Sequence, residues 1–489
     1  MSDASQANSV FGLPVGARIH LLGICGTGMA ALAGLLHEQG CVVTGSDTQF
    51  YPPMGDLLKR LGLRTFHGYS AQNIFEVQPH LVIIGNVISR GNEEAQAVME
   101  RGIPFMSFPE AMRRFFLTGR MPLVVAGTHG KTTTSSLVVA GLEAAGFRPG
   151  FMIGGVLREY GVGFRMGEPP WFVLEGDEYD TAFFDKNPKF LHYAPQGLII
   201  TSIEFDHADI YADLDAVKQA FRRLVAIMPS NGVIVACAHW PSLMEVCEDV
   251  SCPVITYGSD GDRPSFADKH WTLADYAPSA QGITFNALLQ DKVMCPVRLP
   301  MPGMHNALNA LAVLALLHAF GIPPKDAATG LAIAKGVKRR QEVRAEVNGV
   351  LVIDDFAHHP TAVDVTLQAL KERYNDRRLV VVFEPRTNTS QRSVFQNDYA
   401  MAFDSADLVF VRDAPYPEKA PVDDRFSSVQ LVNDLNERGI PAFWGKNADE
   451  LLNSILKQVK QGDVVAVLSN GAFEGLHGRL IAALSDRHL

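Results

Sequence analysis

The stretch Val124-Val125-Ala126-Gly127-Thr128-His129-Gly130-Lys131-Thr132-Thr133-Thr134 constrains this chain more than any other. An apolar run, MPLVVA, breaks at a glycine-bounded turn, reaches Lys-Thr-Thr-Thr, and flows into the helix-like run SSLVVAGLEAAG. Strand, glycine turn, Lys-Thr and helix, in that order, suit a nucleoside triphosphate. Backbone N–H groups at a helix start meet phosphate oxygens, a lysine adds a point charge, and a hydroxyl reaches Mg2+. The spacing departs from the common phosphate loop, because Val125 stands where a glycine is usual, five residues before Gly130. A shortened turn, Gly127 to Gly130, takes its place. A surface Gly-Lys-Thr with no phosphate is the competing reading; the strand before it and the helix after it weigh against that.

A chain of 489 residues divides into more than one domain, and the pattern breaks place three, at 1–119, 120–336 and 337–489. The formal net charge of −10 excludes a general basic field for nucleic acid, so any phosphate must be held by local groups. The 6 cysteines are scattered without CxxC pairs, which points away from disulfides and zinc and towards a reduced cytoplasm. MSDASQANSV lacks the basic and apolar parts of a signal peptide. ALNALAVLALLHAF is too short for a membrane span and carries Asn309 and His318, so no membrane insertion is expected. Oligomeric state stays open between monomer and dimer.

In the first domain, RIHLLGI reads as a strand, Cys25-Gly26-Thr27-Gly28 turns into the helix MAALAGLLHEQG, and strand CVVTGSD stops at Ser46-Asp47. The glycines run Gly23-x-x-Gly26-x-Gly28, outside the dinucleotide fingerprint, but a glycine turn at a positive helix end still suits a diphosphate, and Asp47 a ribose hydroxyl. Glycines serving only tight packing are the alternative. Helix MGDLLKRLG, strand LVIIGNVI, helix EEAQAVMERG and strand IPFMS continue a doubly wound α/β sheet.

In the central domain, WFVLEGDEYDTAFF places Glu175, Asp177, Glu178 and Asp180 after a buried apolar run, and GLIITSIEFDHADIY ends in Glu204, Asp206, His207 and Asp209. Acids at neighbouring strand ends beside a phosphate loop suit two cations. Residue type alone makes His207 a hydrogen-bonding group, since hard cations prefer oxygen. Between 240 and 300 short strands are expected. Pro302-Gly303-Met304-His305-Asn306 then opens a long helix, where Asn306 either caps the helix or reads a base edge. From 337 a second open α/β sheet begins, with strands VLVIDDF, RLVVVFEPR, DLVFVRDAP and DVVAVLSNGAF. Asp354-Asp355 and His358-His359 fit a catalytic pair or a strand-end turn held by Pro360. Arg340 lies at the junction, placed to reach a phosphate.

AGTHGKTTT, EGDEYD, EFDHAD, HNALNAL, Arg339-Arg340 and DDFAHHPTAV, in this order, resemble the ATP-dependent muramyl ligases of bacterial cell-wall synthesis over essentially the whole chain. Within that family, HLLGICGTGM, GSD and the Ser89-Arg90 of NVISR are similar to the branch adding L-alanine to UDP-N-acetylmuramate. EGDEYDTAFFDKNPKFLHYAP, EFDHADIY, FEPRTNTSQ and LSNGAFEGLHGRL resemble the branch that joins UDP-N-acetylmuramate to the recycled tripeptide L-alanyl-γ-D-glutamyl-meso-diaminopimelate. The resemblance implies a Rossmann-like N-terminal domain, a P-loop-type central ATPase domain and a Rossmann-like C-terminal domain that binds the incoming peptide. It implies ATP and Mg2+ as cofactors, and catalysis by Lys131, His207 and Arg340. Gly127, Thr128, His129, Gly130, Lys131, Thr132 and Thr133 would hold ATP, with Asn306 on the adenine, Asp355 on the ribose and Arg340 on the phosphates. Thr132 and Glu175 would ligate one Mg2+, and His207 matches the family's second-metal histidine. Gly26, Thr27, Gly28, Asp47 and Ser89 would hold the UDP-sugar; Arg386, Asn388 and Thr389 the acceptor.

Three departures matter. The place of the carbamylated lysine of other branches falls on Phe221, with Lys218 three residues earlier, so carbamylation is not expected. Pro385-Arg386-Thr387-Asn388-Thr389-Ser390 replaces the Pro-His-Arg-Tyr-Thr-Arg of the alanine-adding branch, which is consistent with a larger acceptor. Asp413-Ala414-Pro415-Tyr416 lacks the arginine with which the diaminopimelate-adding branch reads its substrate. Two readings from other classes compete. A nicotinamide-dependent oxidoreductase is disfavoured by the glycine spacing and Lys131, and a non-catalytic nucleotide-gated module by the two acid clusters.

Overall fold

The computed structural model describes residues 9–10, 12–14, 16–208 and 210–486. Residues 1–8 of the MSDASQANSV stretch, and Asp209 of the second acid cluster, lie outside the described residues. Three α/β units follow one another along the chain, as the alternating pattern predicts.

The first unit is an all-parallel sheet of β1 (Arg18–Leu22), β2 (Val42–Asp47), β3 (Arg64–His67), β4 (Leu81–Ile84) and β5 (Phe105–Ser107), ordered 3-2-1-4-5. The order reverses at β1, and α1 (Thr27–Glu38) begins beside that switch point, where a parallel sheet leaves a crevice for ligands. β3 carries RTFH, a polar segment without the apolar run that marks the other strands.

The central unit is built on β6 (Met121–Ala126), which leads through the glycine turn into α2 (Lys131–Ala144). Beside it run β7 (Gly150–Met152), β8 (Phe164–Arg165), β9 (Trp171–Glu175), β12 (Gly197–Ile200), β13 (Val233–Cys237) and β14 (Val254–Tyr257). β10 (Asp180–Ala182) and β11 (Asp185–Pro188) form a separate hairpin. The three short strands expected after 240 are β14, β16 (Gly282–Leu289) and β17 (Lys292–Leu299); β16 and β17 join an unexpected strand, β15 (Lys269–Ser279), in an antiparallel extension that completes a ten-stranded sheet ordered 8-7-9-6-12-13-14-15-16-17. β6 lies between β9 and β12, parallel to both, with Val125 opposite Glu175 and Ile199. That register brings the phosphate loop and both acid clusters to one edge. Helix α3 (Leu214–Ala226) buries Phe221 completely and leaves Lys218 paired with Asp215 and Glu245, so neither residue stands at the loop. The apolar helix α4 (Met304–Ala319) is sheathed by protein, and no helix among the described residues is long and apolar enough to cross a membrane.

The last unit has β18 (Glu342–Val347) antiparallel to β19 (Val350–Asp355), followed by parallel β23 (Val464–Leu468), β20 (Leu379–Phe383), β21 (Leu408–Arg412) and β22 (Ala442–Gly445), ordered 18-19-23-20-21-22. Helix α5 (Pro360–Arg373) leads out of the β19 end.

The units are packed, not merely strung together. Phe164 of β8 lies against Gly34 of α1, where an added Cβ would come within 2.1 Å of its ring. Phe184, beside the β10–β11 hairpin, meets Phe105 of β5 edge-on at 5.3 Å. Ala369 of α5 occupies the space a Cβ on Gly303 would need. All 6 cysteines are free and buried.

Candidate active site

The turn after β6 is fixed by the end of β12. Thr128 N donates to Ser202 O at 3.0 Å, His129 N to Ser202 Oγ at 3.0 Å, and Glu204 N to Thr128 Oγ1 at 2.9 Å. Thr201 Oγ1 donates to the carbonyls of Ala126 and His129. Gly127 has φ +127°, and a Cβ there would sit 2.2 Å from Thr201 Oγ1. Gly130 caps α2 with φ +79° and leaves the first helical amides without a side-chain cap, facing the turn. Thr133 is buried, with its carbonyl accepting from Ser136 Oγ.

Lys131 folds back over this turn. Its Nζ donates to Gly127 O at 2.6 Å and to Glu178 Oε2 at 2.8 Å. Glu178 Oε1 lies 3.1 Å from His207 Nε2, and His207 Nδ1 is 2.7 Å from the Tyr179 hydroxyl. Burial opposes the charge on all three groups, but their mutual attraction outweighs it. The Lys131 pKa is raised, the Glu178 carboxyl lies below its ordinary value, and His207, beside Glu178 and Asp206, is pushed up to about 9. Glu178, which the sequence offers only as one of four acids suited to cations, is the centre of the cluster.

Glu175, at the β9 end, accepts from Thr132 Oγ1 at 3.0 Å and from Gly154 N at 2.8 Å. Arg340 Nη2 reaches Thr132 Oγ1 at 3.3 Å across the junction to the last unit, with its guanidinium over the Phe356 ring at 4.8 Å. Burial raises the Glu175 pKa in spite of Lys131 and Arg340 nearby. A buried carboxylate whose charge is costly, beside a threonine hydroxyl, is a hard-oxygen donor set that fits a divalent cation, and Glu178 offers a second carboxylate oxygen next to His207. The structure thus brings together Lys131, Thr132, Glu175, His207 and Arg340, as expected from sequence.

Other expected ligand contacts are already engaged. Asn306 is buried and donates to Pro302 O at 2.7 Å, while its carbonyl faces Asn309 Nδ2 at 3.4 Å. Asp355 accepts from Gln341 N at 2.6 Å and Ala357 N at 2.7 Å, holding the turns that flank Arg340. Asp354 points away and is bound by Arg339, Arg344 and His477. His359 caps α5 through Thr361 N at 3.3 Å, and its Nε2 lies 3.2 Å from Phe205 O. Of the two readings of 354–360, these contacts favour the strand-end turn. His129, Glu204 and His359 group closely enough for a metal, but both nitrogens of His359 have partners, and Glu204 is shared by His129 at 2.9 Å and Thr361 at 2.9 Å. That cluster is a seam between the central and last units.

In the first unit, Gly26 precedes α1 and leaves its first turn without a side-chain cap; Thr27 and Gly28 begin the helix, with Gly28 set against the Phe108 ring. Asp47 spends its two carboxylate oxygens on Cys25 N at 2.9 Å and Thr48 N at 2.8 Å, bracing the glycine turn. Ser89 is exposed on the loop after β4, and Val87 of that loop lies against Gly23. A cavity of about 150 Å³ lies between α1 and the glycine-rich 153–163 segment, lined by Thr27, Asp56, Arg60, Gly155, Phe164 and Lys338.

At the last unit, Arg386 lies over Gly471 and 5.5 Å from the Tyr416 ring centroid, and forms no ion pair among the described residues. Thr389, expected to meet the acceptor, is instead buried with its hydroxyl accepting from Ala208 N at 3.2 Å. It ties the last unit to the central one because the 387–392 turn folds inward onto the second acid cluster.

A P-loop-type ATPase sheet between two Rossmann-like sheets, with buried carboxylates at the loop, defines a nucleotide-using enzyme of the Mur ligase family, and the chain belongs to that family. Residues 18–119 match the Mur ligase family catalytic domain, 125–317 the Mur ligase middle domain, and 339–471 the Mur ligase glutamate ligase domain. The chain is 40% identical to the UDP-N-acetylmuramate–L-alanyl-γ-D-glutamyl-meso-2,6-diaminoheptandioate ligase of Escherichia coli (strain K12), over 96% of this chain and 99% of that protein. It is 31% identical to the UDP-N-acetylmuramate–L-alanine ligase of Caldanaerobacter subterraneus subsp. tengcongensis, over 93% and 95%. The crystal structure of a murein peptide ligase from Psychrobacter arcticus 273-4 superimposes with a TM-score of 0.72 at 33% identity, covering 97% of this chain and 100% of that one. The UDP-N-acetylmuramate–alanine ligase of Thermotoga maritima gives a TM-score of 0.78 at 25% identity, covering 95% and 98%. Backbone likeness does not separate the two branches.

Proposed function

We propose that this protein is an ATP-dependent ligase that joins UDP-N-acetylmuramate to L-alanyl-γ-D-glutamyl-meso-diaminopimelate, a step of cytoplasmic peptidoglycan recycling. The observation that carries the acceptor is the 40% identity, over nearly all of both chains, to a relative named for that tripeptide, against 31% and 34% for two alanine-adding relatives.

A carboxylate is a poor electrophile, so the reaction needs activation. The lactyl carboxylate attacks the γ-phosphoryl group of ATP, ADP leaves, and an acyl phosphate forms. The tripeptide amine then attacks the carbonyl and phosphate leaves. The protein's part is positioning and charge neutralisation, since phosphoryl transfer asks little covalent chemistry of it. Lys131 exchanges the loop carbonyls and Glu178 for the β/γ-phosphates, and the uncapped α2 amides receive phosphate oxygens. Arg340, already at Thr132, closes the site from the last domain. One Mg2+ held by Thr132 and Glu175, and a second held at His207, would supply neutralisation of phosphate charge. The α1 turn takes the UDP diphosphate, and the cavity beside Lys338 opens between α1 and the glycine-rich 153–163 segment.

The test is ADP release with UDP-N-acetylmuramate plus tripeptide, compared with the same mixture plus L-alanine. Faster turnover with tripeptide is expected. Faster turnover with alanine would replace this assignment by the alanine-adding one.

A further inference from the structure

The segment 204–208 carries His207, and the last domain grips it at several points. Thr361 Oγ1 donates to Glu204 Oε1 at 2.9 Å, and His359 Nε2 lies 3.2 Å from Phe205 O. Two further bonds close on a single residue: Ala208 N donates to Thr389 Oγ1 at 3.2 Å, and Arg392 Nη1 donates to Ala208 O at 3.0 Å.

The neighbouring His207 sits in a left-handed conformation, φ +56°, which is uncommon outside glycine. Within the turn, His207 N donates to Asp206 Oδ1 at 2.7 Å, and the His207 carbonyl accepts from Ile210 N and Tyr211 N. Ala208, next in the chain, has both of its backbone groups held from the other domain. Arg392 is itself fixed from behind: its Nε meets Asp424 Oδ2 at 2.5 Å, and Asp424 Oδ1 accepts from Ser393 Oγ at 2.6 Å. The guanidinium is therefore a braced strut and not a free surface charge. Arg386, just before the turn that carries Thr389 and Arg392, has its guanidinium 5.5 Å from the Tyr416 ring centroid.

We propose that Arg392 and Thr389 are positioning residues: by holding Ala208 at its N–H and C=O they set His207, so that the acceptor-side loop also fixes the imidazole beside the phosphate site. The inference rests on the metal and phosphate role proposed above for His207. It makes cation binding depend on docking of the last domain, without either residue touching ATP, metal or acceptor.

The experiment measures Mn2+ binding by electron paramagnetic resonance, with a non-hydrolysable ATP analogue and UDP-N-acetylmuramate, in the full-length protein. Wild type is compared with Arg392→Ala, Arg392→Lys and Thr389→Val, with tripeptide KM, kcat and melting temperature recorded for each. Arg392→Ala is expected to weaken Mn2+ binding about tenfold, as loss of an outer-shell partner does. Its kcat should fall while its tripeptide KM stays within about twofold of wild type, since Arg392 is not an acceptor contact. Arg392→Lys, which keeps one donor, should recover part of the binding. Thr389→Val should weaken it in the same direction, and it decides the matter if Arg392→Ala does not fold. Unchanged Mn2+ binding in the folded variants would overturn the proposal. So would a raised tripeptide KM at unchanged Mn2+ binding, which would make Arg392 an acceptor contact. Wild type that binds no Mn2+ overturns both this proposal and the metal assignment. Clamp-dependent Mn2+ binding without tripeptide-dependent ADP release overturns the acceptor reading alone.

Discussion

Lys131 Nζ and Glu178 Oε2 lie 2.8 Å apart, both side chains nearly withdrawn from solvent at 13% and 3% exposure. The lysine that a phosphate loop reserves for its nucleotide is held by a buried carboxylate, and that carboxylate also holds His207. Each residue keeps the others charged. On the phosphate role proposed for Lys131, a bound nucleotide would have to draw the lysine from Glu178, and His207 would remain to balance the acid.

Replacing Lys131 by Ala removes the charge needed at the developing phosphoryl group. ADP release should fall by at least about 10^3-fold, while UDP-N-acetylmuramate, whose proposed site is in the first domain, keeps its affinity within about twofold by calorimetry. The variant should also lose on the order of 3 kcal/mol of stability, because Glu178 then stays buried with only His207 beside it. Full turnover in the variant would refute the phosphate role.

The shortened turn gives a second prediction. Gly127 has φ +127°, and a Cβ there would lie 2.2 Å from Thr201 Oγ1 and 2.9 Å from the backbone nitrogens of Thr201 and Ser202. Those nitrogens belong to the β12 end and cannot swing aside as a side chain would. Gly127→Ala should cost about 2 kcal/mol or more in urea unfolding and weaken ATP binding with it, because the loop and the strand end move together. A variant with wild-type stability and ATP affinity would show that the turn is looser than these contacts imply.

Much of this site is legible in the chain itself. MPLVVA before Gly127, WFVLE before Gly176 and GLII before Thr201 are buried parallel strands whose apolar runs end in chemistry-bearing residues, so each end announces itself locally. Their convergence needs register: Val125 faces both Glu175 and Ile199, and that pairing follows from strand order, which no local pattern specifies. Contacts across domains are harder still. Thr389 reads as an acceptor residue beside Arg386, yet it reaches Ala208, 181 positions away, because an inward turn depends on Asp424 and Arg392 elsewhere in the fold. Asp47 ends its strand as expected, but that its oxygens serve the turn amides is a fact of backbone direction.

The seam between central and last domains should respond to acid. Burial, with His129 close by, depresses the His359 pKa to about 4, from an ordinary 6.5. Between these values the unfolded chain binds a proton that the folded chain does not. Stability from this group is complete above pH 6.5 and is lost as pH falls towards 4, reaching about 2 kcal/mol by pH 5. Glu204, held below its ordinary value despite burial by the His129 contact, acts in the same direction. The urea midpoint of the wild type should drop between pH 7 and 5, and His359→Gln should drop less. Equal slopes in the two proteins would remove His359 as the cause.

Arg386 should mark the acceptor. It lies just before the inward turn, its guanidinium lies over Gly471 near Tyr416, and it makes no ion pair among the described residues. Its positive charge opposes, as a lesser effect, the rise that burial causes in the pKa of Tyr51 in the first domain. An unpaired guanidinium is suited to a carboxylate, which it can bind through two parallel N–H donors, and the tripeptide is rich in carboxylates. Arg386→Ala should raise the tripeptide KM by at least about tenfold, equivalent to a charged hydrogen bond of 1.4 kcal/mol or more, and leave ATP and UDP-N-acetylmuramate binding unchanged. Arg386→Lys should recover only part of the loss, since an ammonium lacks the two-pronged geometry. An unchanged KM in Arg386→Ala would move acceptor recognition away from this turn, to the Asp413–Tyr416 segment that faces it.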